Sequence, residues 1–488
     1  MILLVVTVLQ RSVGFGRGIL FCRWLPQEAL GQWEMAYSFL LLAAPLAVLG
    51  VPGSFGRYAE YYRQRGHLRT FLNRAMIWTA ACGAIAAVAV AAVPRPFSLF
   101  IFGDDSGVQL VRGMSLCLAA IIFHHTLTSL LTALRLYRVV SAMNMAQSML
   151  FAVISLALLW RAPRVEWIVS AYGIASLLSG LGALAWAWPG LRGIEPAVES
   201  LPQREFWPRL LRFAFFLWVS NLLAHLFGIV DRYMLLHWSG MEPSVALEQV
   251  GNYHSSRIVP LLLVSVADLL SGLIMPHLSH DWEAGRRDLV SQRMGLAIKL
   301  AAASMLAFGI CVLVGGPFLF DEILQGRYGA GLAILPWTLA GCVWYAVLTI
   351  SQNYLWCAER ARQSTFPLAT GLVVNTVLNA ILVPTWGLKG AVVATALATL
   401  CGLAVGLLLN RVHGMTVDRR LWIAAIAPGA LALGAWPALA ALALLLVPLP
   451  GGSVLLTSDE WTSLTNLAQS ALAKLRSRLP RRPAVTSP

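Results

Sequence analysis

Apolar stretches of about 20 residues follow one another along almost the whole sequence, with short polar gaps between them. A helix needs about 20 apolar residues to cross the hydrocarbon core of a bilayer. Hydrophobic residues make up 58% of the chain and charged residues 12%, which excludes a soluble globular class. We therefore predict an all-α integral membrane protein. The predicted spans are 2–22, 33–53, 71–93, 108–131, 139–160, 166–189, 206–236, 250–276, 290–315, 331–356, 366–386 and 388–409.

Arginine and lysine residues are unequally divided between alternate connections. The even-numbered connections carry Arg57, Arg63, Arg65, Arg69, Arg135, Arg138, Arg192, Arg204, Arg209, Arg212, Arg286, Arg287, Arg293, Arg360, Arg362, Arg411, Arg419 and Arg420. The odd-numbered connections carry only Arg23, Arg95, Arg161, Arg164, Arg327 and Lys389. Basic residues are retained on the cytoplasmic side. The bias predicts a multi-pass membrane protein with a cytoplasmic N-terminus, and it explains the net charge of +14 without nucleic acid as a partner.

The two halves of the chain repeat a pattern. The segment Gly14–Trp24 is followed by Gly31–Tyr37, and Gly228–Trp238 is followed by Gly251–Arg257, at offsets of 214 and 220 residues. A loop arginine before two close-set helices recurs later at an offset of 224 residues. We predict two six-helix lobes related by an internal repeat, an arrangement that places a central cavity between the lobes of a secondary transporter.

The predicted domain boundaries follow from the repeat and from composition. They are an N-lobe at 1–189, a cytoplasmic linker at 190–208, a C-lobe at 209–410, an extra hydrophobic helix or hairpin at 421–449, and a basic amphipathic cytoplasmic tail at 457–488. In the tail, apolar residues such as Trp461 and Leu464 recur at helical spacing among basic residues. This pattern is typical of a helix lying on an anionic inner leaflet, with a solvated tail as the alternative.

Three segments resemble a known family. FPLATGLVVNTVLNAILVPTWGLKGAVVAT (366–395), GFGRGILFCRWL (14–25) and YHSSRIVPLLL (253–263) are similar to oligosaccharide flippases, the polysaccharide transporter family of the multidrug/oligosaccharidyl-lipid/polysaccharide exporter superfamily. The resemblance implies export of a lipid-linked oligosaccharide for polysaccharide or lipopolysaccharide synthesis by alternating access. In lipid II flippases of this superfamily an arginine of the first and eighth helices faces the substrate diphosphate. Gly18 stands where those flippases usually carry an acidic residue.

Ionisable residues inside the spans are costly, so each is a candidate for function. Bases outnumber acids among them, which favours an anionic cargo, because guanidinium groups match phosphate oxygens. We predict that Arg17, Arg257 and Arg11 bind substrate. The alternatives are that Arg17 extends to the membrane interface and that the other two pair with neighbouring helices.

Several weaker candidates complete the predicted site. Asn375 and Asn379, one helical turn apart, would bond either substrate sugars or neighbouring helices. Asp268, His225 and Asp231 are candidates for ion coupling, with structural pairing or helix contacts as the alternative.

Other classes of function find little support in the sequence. The histidine pairs lack a complete set of metal ligands, and no set of nucleophile, base and orienting group can be assembled. We predict no metal, no cofactor and no enzymatic activity, and a monomer that works beside a glycan polymerase and glycosyltransferases. The alternatives are a multidrug efflux antiporter of the same superfamily and a membrane glycan polymerase or ligase.

Overall fold

A computed structural model describes residues 2–195, 202–360, 362–449, 452–458 and 460–462. Its helices are α1 Ile2–Trp24, α2 Gln27–Ala47, α3 Phe55–Arg63, α4 Leu68–Ala92, α5 Pro94–Phe102, α6 Val108–Ala133, α7 Tyr137–Arg161, α8 Val165–Arg192, α9 Gln203–Trp238, α10 Pro243–Arg257, α11 Pro260–Glu283, α12 Arg287–Pro317, α13 Gly329–Ser351, α14 Asn353–Cys357, α15 Phe366–Val412, α16 Arg419–Ile426 and α17 Ala435–Leu446. The strands Pro448–Leu449 and Gly452–Ser453 form one small hairpin.

The prediction of an all-helical membrane protein is confirmed. Among the described residues, eight helices are long and apolar enough to cross a membrane, or nine if α2 and the segment Val51–Arg63 count as one bent span. One of the eight contains α15, which reverses at Gly387, where φ is 52°. Asn375 on the first arm of α15 contacts Thr395 on the second, so this element is the predicted pair of adjacent spans.

Two predicted spans differ in shape from the continuous helices expected. The second begins at Gln27, earlier than predicted, and bends by 63° between Ala47 and Val51. The eighth is divided into α10 and α11 at Pro260, which lacks a backbone N–H. Arg257 and Asp268, expected three turns apart on one helix, therefore lie on two helices.

Helix α9 joins the two halves of the molecule. Its first turns pack Phe206, Leu210 and Ala214 into an aromatic core with Tyr62 and Phe71 of the first half. Its last turns place Leu235 and Leu236 in the larger core. Residues 203–208, predicted as linker, already belong to this helix, whereas linker residues 196–201 lie outside the described residues.

The two ends of the segment that follows α15 lie close together, because both contact Lys299. Lys299 of α12 is 3% exposed, and its Nζ lies 3.2 Å from Asp418 Oδ2 and 2.9 Å from Glu460 Oε1. Because one lysine contacts both flanks, the extra hydrophobic segment folds as a hairpin, with α16 in one arm and α17 in the other. Leu455 and Leu456, directly before the predicted tail, are also buried. Residues 463–488 of that tail lie outside the described residues.

Candidate functional site

A central cavity of about 550 Å³ lies between the two halves. Helices α1, α2, α7 and α8 line it on one side, and α9, α10 and α11 line it on the other. The predicted residues Arg11, Arg17, Arg257 and His225 all reach this cavity, together with Arg232 and His254. Four arginines from three helices therefore give one enclosed space a strongly basic wall.

Three of these arginines form no salt bridge with the carboxylates that the structure describes. Within the described part of the chain, no carboxylate oxygen lies within 4.0 Å of the guanidinium nitrogens of Arg11, Arg17 or Arg257. A guanidinium group offers a planar fork of N–H donors that matches phosphate and carboxylate oxygens. The cavity therefore presents unpaired donors suited to an anion.

Aromatic rings hold Arg17 in place. Its Cζ lies 4.1 Å from the ring centre of Phe151 and 5.8 Å from that of Phe21. Phe151 in turn packs against Tyr172 with ring centres 4.9 Å apart. A ring face attracts a cation without using its hydrogen-bond donors. The aromatic cluster thus orients the Arg17 side chain and leaves its N–H groups free.

Arg257 is the last residue of α10, directly before the break at Pro260. Its Cζ lies 5.2 Å from the ring centre of Tyr253, one turn earlier on the same helix. It also lines a second, smaller cavity of about 170 Å³ within the second half. Arg257 therefore stands between the two cavities.

Glu34 is the one carboxylate among the residues that line the central cavity in the described structure. Its Oε1 lies 3.0 Å from Arg232 Nη2, and its Oε2 lies 2.6 Å from His254 Nδ1. Arg232 also donates to the carbonyl oxygen of Gly228 at 2.8 Å. Glu34 and Arg232 are 7% and 5% exposed, so this pair connects the halves inside the protein.

A second polar cluster surrounds Asp231, beside the smaller cavity. Tyr253 donates its hydroxyl to Asp231 Oδ2 at 2.7 Å, and Thr395 donates to the same oxygen at 3.2 Å. Asn375 donates to Thr395 at 3.3 Å, and Asn379 donates to Asn375. Asn375 and Asn379 are fully buried and do not line the central cavity. The structure therefore places them with Asp231 and outside the lining of the central cavity.

The remaining candidate, Asp268, belongs neither to the lining of the central cavity nor to the polar cluster around Asp231. It is exposed on α11 and lines neither cavity. Within the described residues, no group of three or more His, Cys, Asp and Glu side chains is placed to hold a metal ion.

The sequence reasoning missed Glu34, His254 and Thr395. A signal for the first two was present, since they occupy equivalent positions of the repeat, three residues after Gly31 and Gly251. Thr395 gave no signal, because one threonine in an apolar helix is common and its partners come from distant parts of the chain.

Two helical halves with a basic cavity between them give the fold of a helical membrane transporter. The chain belongs to the polysaccharide biosynthesis protein family, whose model matches residues 1–279. Its fold is that of transporters of the multidrug/oligosaccharidyl-lipid/polysaccharide exporter superfamily.

Individual relatives agree with this family. The lipid II flippase MurJ of Bacillus subtilis (strain 168) is 23% identical over 158 residues, a match that spans 31% of this chain and 29% of that protein. A solved structure of lipid II flippase MurJ in an inward closed conformation superposes with a TM-score of 0.71 at 13% identity, covering 97% of each chain. An inward-facing multidrug resistance MATE family transporter gives 0.68 at 16% identity, covering 83% of this chain and 94% of its own. These structures share the fold.

Proposed function

We propose that this protein carries an isoprenoid-diphosphate-linked oligosaccharide across the membrane for polysaccharide or lipopolysaccharide synthesis. The observation that supports the proposal is the basic wall of the central cavity, where three arginines form no salt bridge with a described carboxylate. Arg17 and Arg257 bind the two phosphates from opposite halves, and Arg11 adds positive charge nearer the N-terminal end of α1. The glycan follows the diphosphate through the cavity as the halves alternate.

The same wall argues against a multidrug exporter. A cationic drug would need free carboxylates, and Glu34 is already paired with Arg232 and His254. A diphosphate instead gains charge-assisted hydrogen bonds from each guanidinium group. The anionic cargo is therefore the better match.

Energy for the cycle comes from the membrane potential or from a coupling ion. We propose Asp231 as the ion site, because the hydroxyl groups of Tyr253 and Thr395 meet its carboxylate, and Asn375 and Asn379 extend this polar cluster behind Thr395. Asn379 Oδ1 is buried and accepts no hydrogen bond within the described structure. Hard monovalent cations prefer such oxygen ligands. This placement gives Asn375 and Asn379 a role in ion coupling in place of the substrate binding that their sequence predicted.

The setting of the transporter follows from the sequence. We propose a monomer in a bacterial inner membrane, with lobes at 1–189 and 209–410 and a cytoplasmic N-terminus. Glycosyltransferases would supply the lipid-linked glycan on the cytoplasmic side, and a glycan polymerase would receive it on the other side.

Arginine substitutions test the cargo. Each phosphate contact is worth about 1.5–3 kcal/mol, so Arg17→Ala and Arg257→Ala should each lower export roughly tenfold or more. Arg257→Lys should retain partial activity, because lysine keeps the charge and loses the fork. The measurement is glycan display at the surface of a strain that lacks its own flippase, with insertion checked by membrane fractionation.

Arg23→Ala provides the control, since Arg23 lies on the same helix as Arg17 and does not line the cavity. It should export at the parental rate. If both cavity variants insert normally and export at that rate too, the proposal is wrong, and efflux of cationic dyes becomes the next measurement.

A further inference from the structure

Helices α2 and α10 cross with their backbones in contact. A β-carbon on Gly31 would lie 1.8 Å from the carbonyl oxygen of Leu247, and one on Gly251 would lie 2.1 Å from that of Gln27. Real β-carbons do not approach backbone atoms within 3.0 Å. Only glycine on each helix permits this contact, which joins the two halves beside the central cavity.

The crossing pairs equivalent positions of the internal repeat. Gly31 and Gly251 occupy matching places, and the residue three positions later is Glu34 in one half and His254 in the other. At the crossing these two side chains meet at 2.6 Å. The repeat has therefore placed an acid and a base face to face across the boundary between the halves.

Arg232 completes the contact from α9. It pairs with the other oxygen of Glu34 at 3.0 Å, and its Nη1 lies 3.3 Å from Ser38 Oγ on α2. Both carboxylate oxygens of Glu34 are thus bound by groups of the opposite half. Removing one partner of a buried ion pair leaves an uncompensated charge, so the intact set strongly favours the closed arrangement.

We propose that Glu34 is an internal counter-anion that keeps the α2–α10 end of the cavity shut, and that an anionic cargo opens this end by competing for Arg232. The first half of the proposal concerns the protein alone. The second half rests on the proposed anionic cargo. Arg232, His254, Arg17 and Arg257 line the same cavity, so a bound diphosphate would reach the guanidinium group that Glu34 now occupies.

The proposed closing role of Glu34, which we call the latch, is tested by labelling a cysteine that lines the cavity. Ile258→Cys is introduced into a chain whose seven native cysteines are replaced by alanine. Vesicles are then treated with a membrane-impermeant maleimide on the side that carries the α1–α2 connection. Glu34→Gln should raise the labelling rate about tenfold or more, which corresponds to about 1.4 kcal/mol or more in the opening equilibrium.

Two further variants make the result specific. Glu28→Gln, on the same helix and outside the cavity lining, should leave the labelling rate unchanged. Glu34→Gln combined with Arg232→Gln removes both buried charges and should label more slowly than Glu34→Gln alone. If Glu34→Gln inserts normally and labels at the parental rate, Glu34 is not a latch, whatever the cargo.

Inorganic pyrophosphate on both sides of the vesicles tests the competition. It should raise labelling of the Ile258→Cys chain several-fold and add little in the Glu34→Gln variant, whose latch is already open. No effect on the chain that retains Glu34 would overturn the competition and leave the latch intact. Failure of the proposed cargo would appear separately, as normal export by the Arg17 and Arg257 variants.

Discussion

At the scale of single residues, the sequence singled out three of the four arginines that line the cavity and missed Glu34, the carboxylate among the lining residues. Each arginine stood out because a charge inside an apolar span is costly. Glu34 did not, because the second span was predicted to begin at residue 33, which placed this residue at the membrane surface. The helix begins at Gln27, so Glu34 lies about two turns inside it. An error of six residues in a helix boundary concealed a buried ion pair.

The two asparagines show a different limit. Asn375 and Asn379 were recognised as polar positions on one helix face, and the sequence left open what that face contacts. The answer depends on Thr395, which lies 20 residues after Asn375, and on Asp231, which lies 164 residues before Thr395. No local pattern encodes contacts over such separations.

Substitutions at the three candidates for ion coupling should separate their roles. We expect Asp231→Asn to abolish the response of transport to an imposed sodium or proton gradient, because it removes the charge that binds the ion. Asp268→Asn and His225→Gln, outside the oxygen cluster, should preserve that response. Initial export rates with and without each gradient provide the measurement, and a preserved response in Asp231→Asn would exclude this site.

At the scale of elements, the apolar stretches predicted each of the eight described helices that are long and apolar enough to cross a membrane, but the ends and breaks of those helices depend on tertiary contacts. The bend after α2 and the crossing of α2 with α10 arise from packing between distant segments. Glycines at 31 and 251 were visible in the repeat, yet glycine is common in membrane helices. Only the structure shows which glycines meet another backbone.

Alanine substitutions should distinguish the glycines of the crossing from others. Gly251→Ala puts a methyl group against a carbonyl oxygen that belongs to backbone and cannot move aside, so we expect a loss of about 1–3 kcal/mol in stability. Gly14→Ala is the matched control, since no atom lies within 4 Å of its β-carbon position. Thermal unfolding in detergent should show a lower Tm for Gly251→Ala alone. Equal Tm values would mean that the helices separate without cost.

At the scale of the whole molecule, the two halves touch where α1 connects to α2, since Tyr328 of the second half donates its hydroxyl to the carbonyl oxygen of Leu25 at 3.3 Å. The arginine bias of the loops predicts that this end faces away from the cytoplasm. Together these two features predict a protein whose halves meet on the outer side. Its cargo would then enter from the cytoplasm, where lipid-linked glycans would be assembled.

Cysteine labelling should establish this orientation. Single cysteines at Arg63, in α3, and at Glu242, just before α10, lie on opposite sides of the predicted membrane. In intact cells an impermeant maleimide should label Glu242→Cys and spare Arg63→Cys. The reverse pattern would place the N-terminus outside the cytoplasm and would reverse the proposed direction of transport.

The ion set at Lys299 has a consequence for biosynthesis. Its carboxylate partners, Asp418 and Glu460, lie 119 and 161 residues further along the chain. At roughly 5–20 residues per second, a ribosome needs on the order of 10–30 seconds to make the second partner after the lysine. Until Asp418 has been made, Lys299 lacks both of the carboxylates that pair with it in the folded protein. A chain that stops before Asp418 would therefore keep this lysine without either partner in an apolar helix.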